Sequence, residues 1–127
     1  LDFDKESRFK QITRMQDIAK FLDDQGCNVI VAALYSHPKL LNRNRKIFKN
    51  YFEIYLKANI NFLVERETKK IYKKALQKKI KNVVGIDIKW HAPKKPNLIF
   101  EQKNKLSLSD MTSLIERKLE TRKIINA

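Results

Sequence analysis

Apolar residues recur at three- and four-residue steps over residues 7–25, which is the spacing of one face of an α-helix. Gly26 follows at the position where many helices end in the left-handed conformation. The pattern then changes, because residues 29–34 read V-I-V-A-A-L without a polar interruption. A strand covered on both faces has this continuous apolar character, so residues 29–34 are predicted to form a buried strand of a parallel sheet.

Helix and strand patterns alternate in the middle of the chain. Residues 41–50 are consistent with a short helix, and residues 51–56, reading Y-F-E-I-Y-L, are the next strand candidate. A helix is predicted to begin at Asn59 and to lead into a second helical stretch from Thr68 to about Lys79. Two strands separated by helix, with right-handed crossovers, predict an α/β fold with a parallel sheet and flanking helices.

The C-terminal part is predicted to contain a loop, a short strand and a last helix. Two prolines hold residues 90–96 as a loop, and residues 97–101 form the strand candidate. Ser107 and Ser109 are both plausible N-caps for the last helix. A chain of 127 residues is large enough for one compact domain, so residues 1–127 are expected to form a single domain.

Charge adds a candidate function to this pattern. The chain has 28 Lys and Arg against 14 Asp and Glu, a formal net charge of +14, so a nucleotide, a nucleic acid or an acidic membrane surface is the expected kind of partner. Lysines cluster in residues 66–87, which we name the lysine segment, and such a cationic cover suits phosphate groups. The alternative is an ordinary solvated helix face. The clustered lysines are Lys69, Lys70, Lys73, Lys74, Lys78, Lys79 and Lys81.

Cysteine usage and hydropathy bear on the compartment. A single cysteine, Cys27, excludes an internal disulfide and a cysteine-cluster metal site. Its place before an apolar run favours a small core residue over a nucleophile. No apolar stretch approaches the length of about 20 residues that a membrane helix needs, and the first residues do not make a signal peptide. We therefore expect a cytoplasmic protein without membrane association.

Few residues have an evident chemical role. His37 lies where a ligand site borders an open α/β sheet, but a lone histidine beside a proline is more often a loop residue. His91 has no second histidine or carboxylate at ligand spacing. Arg8, Arg14 and Arg66 offer planar forks that suit phosphate or sulfate, and each could equally be a surface ion-pair partner. No catalytic residue is identified.

Separated motifs along the chain, in the same order as in the family, resemble the adenylylsulfate kinase family. The resemblance runs from residue 1 to about residue 119 and is strongest in the lysine segment, where R-E-T-K-K-I-Y-K-K-A and I-K-N-V-V-G-I-D are similar to R-D-x-K-G-L-Y-x-x-A and I-K-G-F-T-G-I-D. L-D-F-D-K-E-S-R-F-K-Q, the V-I-V and F-E-I-Y-L strands and W-H-A-P also fit family stretches. The chain contains no G-x-x-x-x-G-K-[ST] loop, so the match begins downstream of the family's P-loop, which is expected upstream in the parent gene.

This resemblance implies a P-loop kinase-like fold and a known reaction. Family members transfer the γ-phosphate of ATP, with Mg²⁺ bridging its phosphates, to the 3′-hydroxyl of adenylylsulfate in sulfate assimilation, and they form homodimers. Phe3 would stack on the base of this acceptor nucleotide, Arg8 would contact its phosphosulfate region, and Lys81 would reach it over a lid of about residues 67–90. Gln11 stands where the family has a substrate-binding Asn.

The resemblance also assigns residues to the ATP side and to the lid. Arg66 would lie against the ATP adenine, and Lys69, Tyr72 and Asp87 would belong to the ATP-binding and lid region. Such a site would act by positioning and charge neutralisation, without a protein nucleophile.

Adenylylsulfate is therefore the expected acceptor of this chain, but departures from the family pattern leave alternatives open. Val83 replaces the lid Phe that sandwiches adenine, and stacking on an aromatic ring is worth about 1 to 3 kcal/mol per base. Lys70 and Lys78 replace two lid glycines, and Glu67 replaces an Asp. The chain also resembles a branch of the family that phosphorylates a cytidine-linked phosphoramidate. A non-catalytic module whose basic face binds RNA is a further alternative, although nucleic acid is the less expected partner.

Overall fold

The first helix, α1 (Lys5–Asp24), has strong signals at both of its ends. Asp4 is the N-cap, and its carboxylate accepts hydrogen bonds from two backbone N–H groups of the first turn. Gly26 adopts φ of +80°, which lets the N–H of Cys27 bond back to the carbonyl of Leu22 over 3.1 Å. The helix predicted over residues 7–25 and its glycine cap are therefore confirmed in the computed structural model, which describes residues 2–102 and 106–124.

A small parallel sheet forms in the middle of the chain. Strand β1 (Ile54–Lys57) pairs with β2 (Leu98–Glu101), with Ile54 opposite Leu98 and Lys57 opposite Glu101. The α/β class with a parallel sheet and flanking helices is thereby confirmed. The elements that follow α1 are α2 (Pro38–Ile47), β1 (Ile54–Lys57), α3 (Ile60–Arg66), α4 (Ile71–Leu76), β2 (Leu98–Glu101) and α5 (Leu108–Thr121).

The prediction of a buried strand over residues 29–34 is wrong. These residues have no regular secondary structure, and Ile30 is 97% exposed. A parallel strand needs a neighbour that takes up its N–H and C=O groups, and the sheet described in residues 2–102 and 106–124 contains only β1 and β2. Cys27, predicted to be a core residue, is exposed because it leads into this uncovered segment.

The lysine segment is less helical than its sequence suggests. The helix predicted from Thr68 to about Lys79 is confirmed only over α4. Lys70 and Lys78 adopt φ of 55° and 57°, and this left-handed conformation interrupts an α-helix on both sides. Helix α3, in contrast, begins within one residue of the predicted start at Asn59.

The described residues divide into two compact units. The first unit contains the residues up to Lys49 together with Ile60–Pro93, and its core brings α1 and α2 against the end of the lysine segment. The indole N–H of Trp90 donates a hydrogen bond of 3.0 Å to the carbonyl of Leu34, which ties the exposed segment to this core at one end. The core cluster is Tyr35, Leu40, Val84 and Ile88, with Phe9, Ile12 and Trp90 packed against it.

A buried glutamine fixes α2 on α1. Gln16 is 5% exposed, and its amide nitrogen donates to the carbonyl of Leu40 over 2.8 Å and to the side chain of Asn44 over 2.7 Å. Arg43 donates to the Gln16 amide oxygen over 3.0 Å and forms an ion pair with Asp17. The buried amide is therefore satisfied on both of its polar atoms.

The second unit contains Asn50–Asn59 and the described residues from Lys94 onward, and includes β1, β2 and α5. Glu53 is buried, and the hydroxyl of Tyr51 donates to its carboxylate over 2.8 Å. Ser107 is the N-cap of α5 and forms a reciprocal capping box with Asp110, so the choice between the two predicted serine caps falls on Ser107. None of the helices in the described part of the chain combines the length and the apolar character needed to cross a bilayer.

Candidate functional site

Arg8 links the start of α1 to the lysine segment. Its Nε donates to the carbonyl of Phe3 over 2.7 Å, and its Nη2 donates to the carbonyl of Asn82 over 2.8 Å. The guanidinium carbon also lies 5.7 Å from the centroid of the Phe3 ring. The structure therefore brings together two of the residues predicted to bind the acceptor, Phe3 and Arg8, with a segment that carries Lys81 and Val83.

Asp87 folds the Gly-Ile-Asp turn onto the residues before it. Its carboxylate accepts hydrogen bonds from the N–H groups of Asn82 and Val83 over 2.6 and 2.7 Å. The bonds from Val83 and then Asn82 are the main causes that hold the pKa of Asp87 below its ordinary value, and the charge of Lys81 adds to them. Gly85 adopts φ of +91°, which suits the tight turn.

The predicted acceptor residues differ in their exposure. Phe3 is 70% exposed, so one aromatic face is available to stack on a base. Val83 is only 9% exposed, which leaves little of its side chain for contact with a ligand in this arrangement. Gln11 and Lys81 are both exposed.

A second group of predicted site residues surrounds the start of α4. The guanidinium of Arg66 lies 6.0 Å from the centroid of the Phe62 ring. The carboxylate of Glu67 accepts a hydrogen bond of 2.9 Å from the N–H of Tyr72, in the first turn of α4. Because Lys70 offers no side-chain cap, Glu67 supplies an acceptor for that helix end. Lys69 lies exposed beside them.

The lysine segment presents its charge to solvent. All seven of its clustered lysines are exposed, as expected for ammonium groups. A shallow hollow at the start of α1 is lined by Asp4, Lys5, Glu6 and Phe9, and none of the clustered lysines contributes to it. The lysines therefore form an open cationic surface in the described chain, and the two carboxylates make the hollow a poor site for phosphate.

Two histidines that the sequence separates widely are neighbours in space. The rings of His37 and His91 lie edge to face with centroids 5.1 Å apart, and Phe9 lies 5.4 Å from His37 on the α1 side. His37 is the N-cap of α2, and its Nδ1 accepts a bond of 3.2 Å from the N–H of Lys39. Burial is the first cause that lowers the pKa of His37, followed by the charges of His91, Lys5 and Lys39. No spacing rule indicates this pair.

The pair does not form a metal centre with its surroundings. Within residues 2–102 and 106–124, no three or more His, Cys, Asp or Glu residues are grouped closely enough to hold a metal ion. The given sequence also contains no Walker A loop to hold the phosphates of ATP. A Mg²⁺ ion that bridges ATP phosphates takes most of its ligands from those phosphates and from water, so its use does not need such a cluster.

Two buried hydroxyl groups lie just before α2, in the turn that also carries His37. The hydroxyl oxygens of Tyr35 and Ser36 are buried and have no hydrogen-bond partner in the part of the chain that the structure describes. Burial raises the pKa of Tyr35, and the positive charge of Arg8 opposes that rise. No motif marks either residue, because an unsatisfied hydroxyl is a property of packing.

Comparison with known proteins agrees with the order of these motifs. A family model described as adenylylsulphate kinase matches residues 1–101. The cytidine diphosphoramidate kinase of Campylobacter jejuni is 37% identical over 117 residues, covering 92% of this chain and 68% of the relative. The adenylyl-sulfate kinase of Staphylococcus carnosus is 31% identical over 127 residues, covering 98% of this chain and 63% of the relative.

A third relative, the adenylyl-sulfate kinase of Clostridium acetobutylicum, is 36% identical over 104 residues, covering 80% of this chain and 51% of the relative. The chain thus spans about half to two thirds of the length of these three relatives. The family model covers most of the chain and includes both groups of site residues around Arg8 and α4. The chain belongs to the adenylylsulphate kinase family.

Proposed function

We propose that this protein is an ATP-dependent kinase that phosphorylates a nucleotide-linked small molecule, and that this acceptor is cytidine diphosphoramidate. Membership of the family supports the kinase activity. The relative from Campylobacter jejuni that carries this name is 37% identical and is matched over 92% of the chain, which supports the acceptor. The open lysine surface supports attraction of a substrate that carries phosphate groups.

Val83 is the observation that carries the choice of acceptor. A lid Phe that sandwiches adenine is replaced here by a valine that is 9% exposed. Loss of one stacking surface weakens binding of a base by about 1 to 3 kcal/mol. A smaller pyrimidine base, which depends less on stacking area, is disfavoured less by this replacement.

The residue roles implied by the family form part of the proposal. Phe3, Arg8, Gln11, Lys81 and Val83 would border the acceptor, with Phe3 against the base and Arg8 against its anionic groups. A second set, Arg66, Lys69, Tyr72 and Asp87, would belong to the ATP side and to a lid of about residues 67–90. We also propose that residues 1–127 belong to one domain of a cytoplasmic homodimer that uses ATP with Mg²⁺.

In this proposal the residues contribute to catalysis through their charges and hydrogen bonds. Phosphoryl transfer proceeds through a loose transition state whose charge is spread over oxygen atoms, so catalysis depends on alignment and neutralisation. Arg8 is suited to hold an anionic acceptor because a guanidinium forms two directed hydrogen bonds to such a group. The clustered lysines would lower the repulsion between two negatively charged substrates.

Adenylylsulfate is the second candidate acceptor, in which case the protein would serve sulfate assimilation. Two relatives with 31% and 36% identity are adenylyl-sulfate kinases. The exposed ring of Phe3 also offers one stacking face for a purine base.

The deciding experiment compares the two acceptors. The natural full-length protein would be assayed with ATP and Mg²⁺, and kcat/KM measured for cytidine diphosphoramidate and for adenylylsulfate. A preference of about tenfold or more for the cytidine compound supports the proposal, because one lost stacking contact accounts for a factor of this size. A preference for adenylylsulfate supports the second candidate.

An absence of turnover with both acceptors contradicts the kinase proposal. Steeply salt-dependent RNA binding by the same protein, without nucleotide selectivity, would then identify a basic binding module. A variant with both Lys73 and Lys74 changed to Gln is the control for this RNA binding, because it removes exposed positive charge without altering the predicted acceptor residues.

A further inference from the structure

Two lysines, Lys70 and Lys78, stand at the two ends of helix α4 in a backbone conformation that suits glycine. Their φ angles are 55° and 57°. Lys70 directly precedes the helix, and its carbonyl accepts a hydrogen bond of 2.9 Å from the N–H of Lys74. At the other end, the N–H of Lys79 bonds back to the carbonyl of Lys74 over 2.9 Å, so Lys78 occupies the position where many helices have a left-handed glycine. The family pattern has glycine at both positions, and this chain has lysine.

The charge that these two lysines add is not neutralised within the lysine segment. Residues 66–87 contain eight Lys and Arg but only two acidic residues, Glu67 and Asp87. Both carboxylates accept hydrogen bonds from backbone N–H groups. The side chains of Lys70 and Lys78 are exposed, and within the described part of the chain neither forms an ion pair. An anion that binds beside them therefore lowers the repulsion among the ammonium groups.

A left-handed lysine is by itself not a binding site. Lys123 has φ of 54° just after α5, where the N–H of Ile124 bonds back to the carbonyl of Leu119. Lys70 and Lys78 differ from Lys123 because they lie among the clustered lysines, in the lid that the proposed function sets over two nucleotides. Strained backbone that persists in such a place is typical of functional sites.

We propose that Lys70 and Lys78 bind phosphate oxygens of a nucleoside diphosphate or triphosphate beneath the lid. This inference rests on the proposed function, which it deepens by naming two phosphate ligands that the glycines of the family pattern do not supply. An ammonium group donates up to three hydrogen bonds, and the flexible lysine stem lets it follow a phosphate group. ATP and the acceptor both carry phosphate groups, so the experiment has one arm for each.

Stability and binding are expected to change in opposite directions when either lysine is replaced by glycine. Glycine adopts positive φ without the steric cost that a lysine has there, and it also removes the ammonium group. An ordinary solvated lysine predicts a gain in stability with no change in nucleotide binding. A phosphate ligand predicts the same gain in stability together with weaker binding.

The test uses Lys70→Gly and Lys78→Gly in the natural full-length protein. Lys123→Gly is the matched control, because Lys123 is also exposed and left-handed but lies outside the lysine segment. Adenosine diphosphate and cytidine diphosphate serve as probes, and the Kd of each is measured by calorimetry at about 0.1 M and about 1 M salt. Urea unfolding without nucleotide gives the free energy of unfolding. Lys70→Arg and Lys78→Arg keep the charge and the backbone strain.

The expected result for each glycine variant of the lid is a Kd that is higher by about fivefold or more for at least one probe at the lower salt concentration. The difference shrinks at the higher concentration, because salt screens exposed charges. The free energy of unfolding is unchanged or higher. The arginine variants keep Kd within about twofold of the wild type, since they keep the positive charge. Lys123→Gly leaves both Kd values unchanged. An effect on adenosine diphosphate identifies the phosphates of ATP as the ligand, and an effect on cytidine diphosphate identifies those of the acceptor.

Unchanged Kd values for both probes in either glycine variant of the lid overturn the proposal. An equal rise in Lys123→Gly overturns it too, because net charge would then be the cause. Failure of the wild type to bind either probe has the same consequence. Failure of the proposed function appears separately, as an absence of turnover with either acceptor by the wild type. In that case weaker binding by the two lid variants still supports the phosphate contacts.

Discussion

The Nη2 of Arg8 lies 2.8 Å from the carbonyl oxygen of Asn82. Through this contact, the first turn of α1 is bonded to the end of the lysine segment. The N–H groups of Asn82 and Val83 at the same place donate hydrogen bonds to the carboxylate of Asp87. A group predicted to bind the acceptor thus also forms a bond that joins α1 to the lysine segment.

Replacement of Arg8 by Ala is expected to impair use of the acceptor far more than use of ATP. Removal of a charged, two-pronged donor costs about 1.5 to 3 kcal/mol, so acceptor kcat/KM should fall by about tenfold or more. ATP KM should stay within about twofold. Steady-state kinetics of the full-length protein measure both values.

Arg117→Ala is the control for this variant, because Arg117 is an exposed arginine of α5. It should leave both KM values unchanged. An equal loss in both substrates after Arg8→Ala, or no loss in either, would remove Arg8 from the acceptor site.

Replacement of Val83 by Phe is expected to shift preference toward adenylylsulfate. A phenyl ring restores the stacking surface that the family uses, worth about 1 to 3 kcal/mol per base. The ratio of kcat/KM for adenylylsulfate over cytidine diphosphoramidate should rise by about tenfold, the lower part of that range.

Because Val83 is 9% exposed, the larger ring must displace its neighbours or turn outward. Val83→Leu is the control for added volume without an aromatic face. If the leucine variant shifts the ratio as much as the phenylalanine variant, stacking is not the cause.

Glycine at position 70 or 78 is expected to stabilise the protein. Both lysines hold φ near +55°, where an L-residue costs about 1 to 2 kcal/mol. Glycine removes this cost but loses about 0.5 to 1 kcal/mol in chain entropy, so a net gain of about 0.5 to 1 kcal/mol remains. Urea unfolding of Lys70→Gly and Lys78→Gly measures the gain.

A lysine-to-glycine substitution inside α4 should lower the free energy of unfolding instead of raising it. Lys74 is exposed and helical, so Lys74→Gly should destabilise by about 1 kcal/mol. A loss of stability in all three variants would show that the left-handed lysines are not strained. Asn82 has φ of 65° but needs no such change, because asparagine tolerates this conformation.

Acidification is expected to weaken the first unit through His37. Burial and the charges of His91, Lys5 and Lys39 lower the folded-state pKa of His37, so the unfolded chain binds the proton more readily. This contribution to stability is complete above the unfolded pKa of about 6.5 and is lost as the pH falls below it.

Unfolding free energies at pH 7.5 and pH 5.5 should therefore differ less in His37→Asn than in the wild type. Asparagine keeps an N-cap for α2, so a change in pH dependence is separated from the loss of a cap. His91→Gln should reduce the difference too, since it removes one of the opposing charges. The proposal about His37 would be wrong if all three proteins gave the same pH dependence.

Local signals were sufficient for the helices with clear ends. Gly26 ends α1 as the pattern indicates, and Ser107, one of the two predicted caps, begins α5 with a capping box. These ends could be predicted because the atoms that satisfy them lie within a few residues in the chain. The family resemblance likewise depends on motif order, which a sequence carries in full.

Contacts between residues that are distant in the chain could not be predicted from such local signals. Residues 29–34 have the apolar pattern of a buried strand, yet they are exposed, because no strand among the described residues pairs with them. The contact of His37 with His91 and the bond of Arg8 to Asn82 each join positions far apart, so no spacing within one element indicates them.

The sequence by itself determined the family, the α/β class, the glycine that ends α1 and the cationic character of the lysine segment, because these follow from residue types and their local order. Only the tertiary structure decided that β1 pairs with β2, that Val83 is buried, and that the buried Tyr35 hydroxyl has no hydrogen-bond partner among the described residues. The physical reason is that burial and hydrogen-bond satisfaction depend on which distant segments meet, and composition does not specify those meetings.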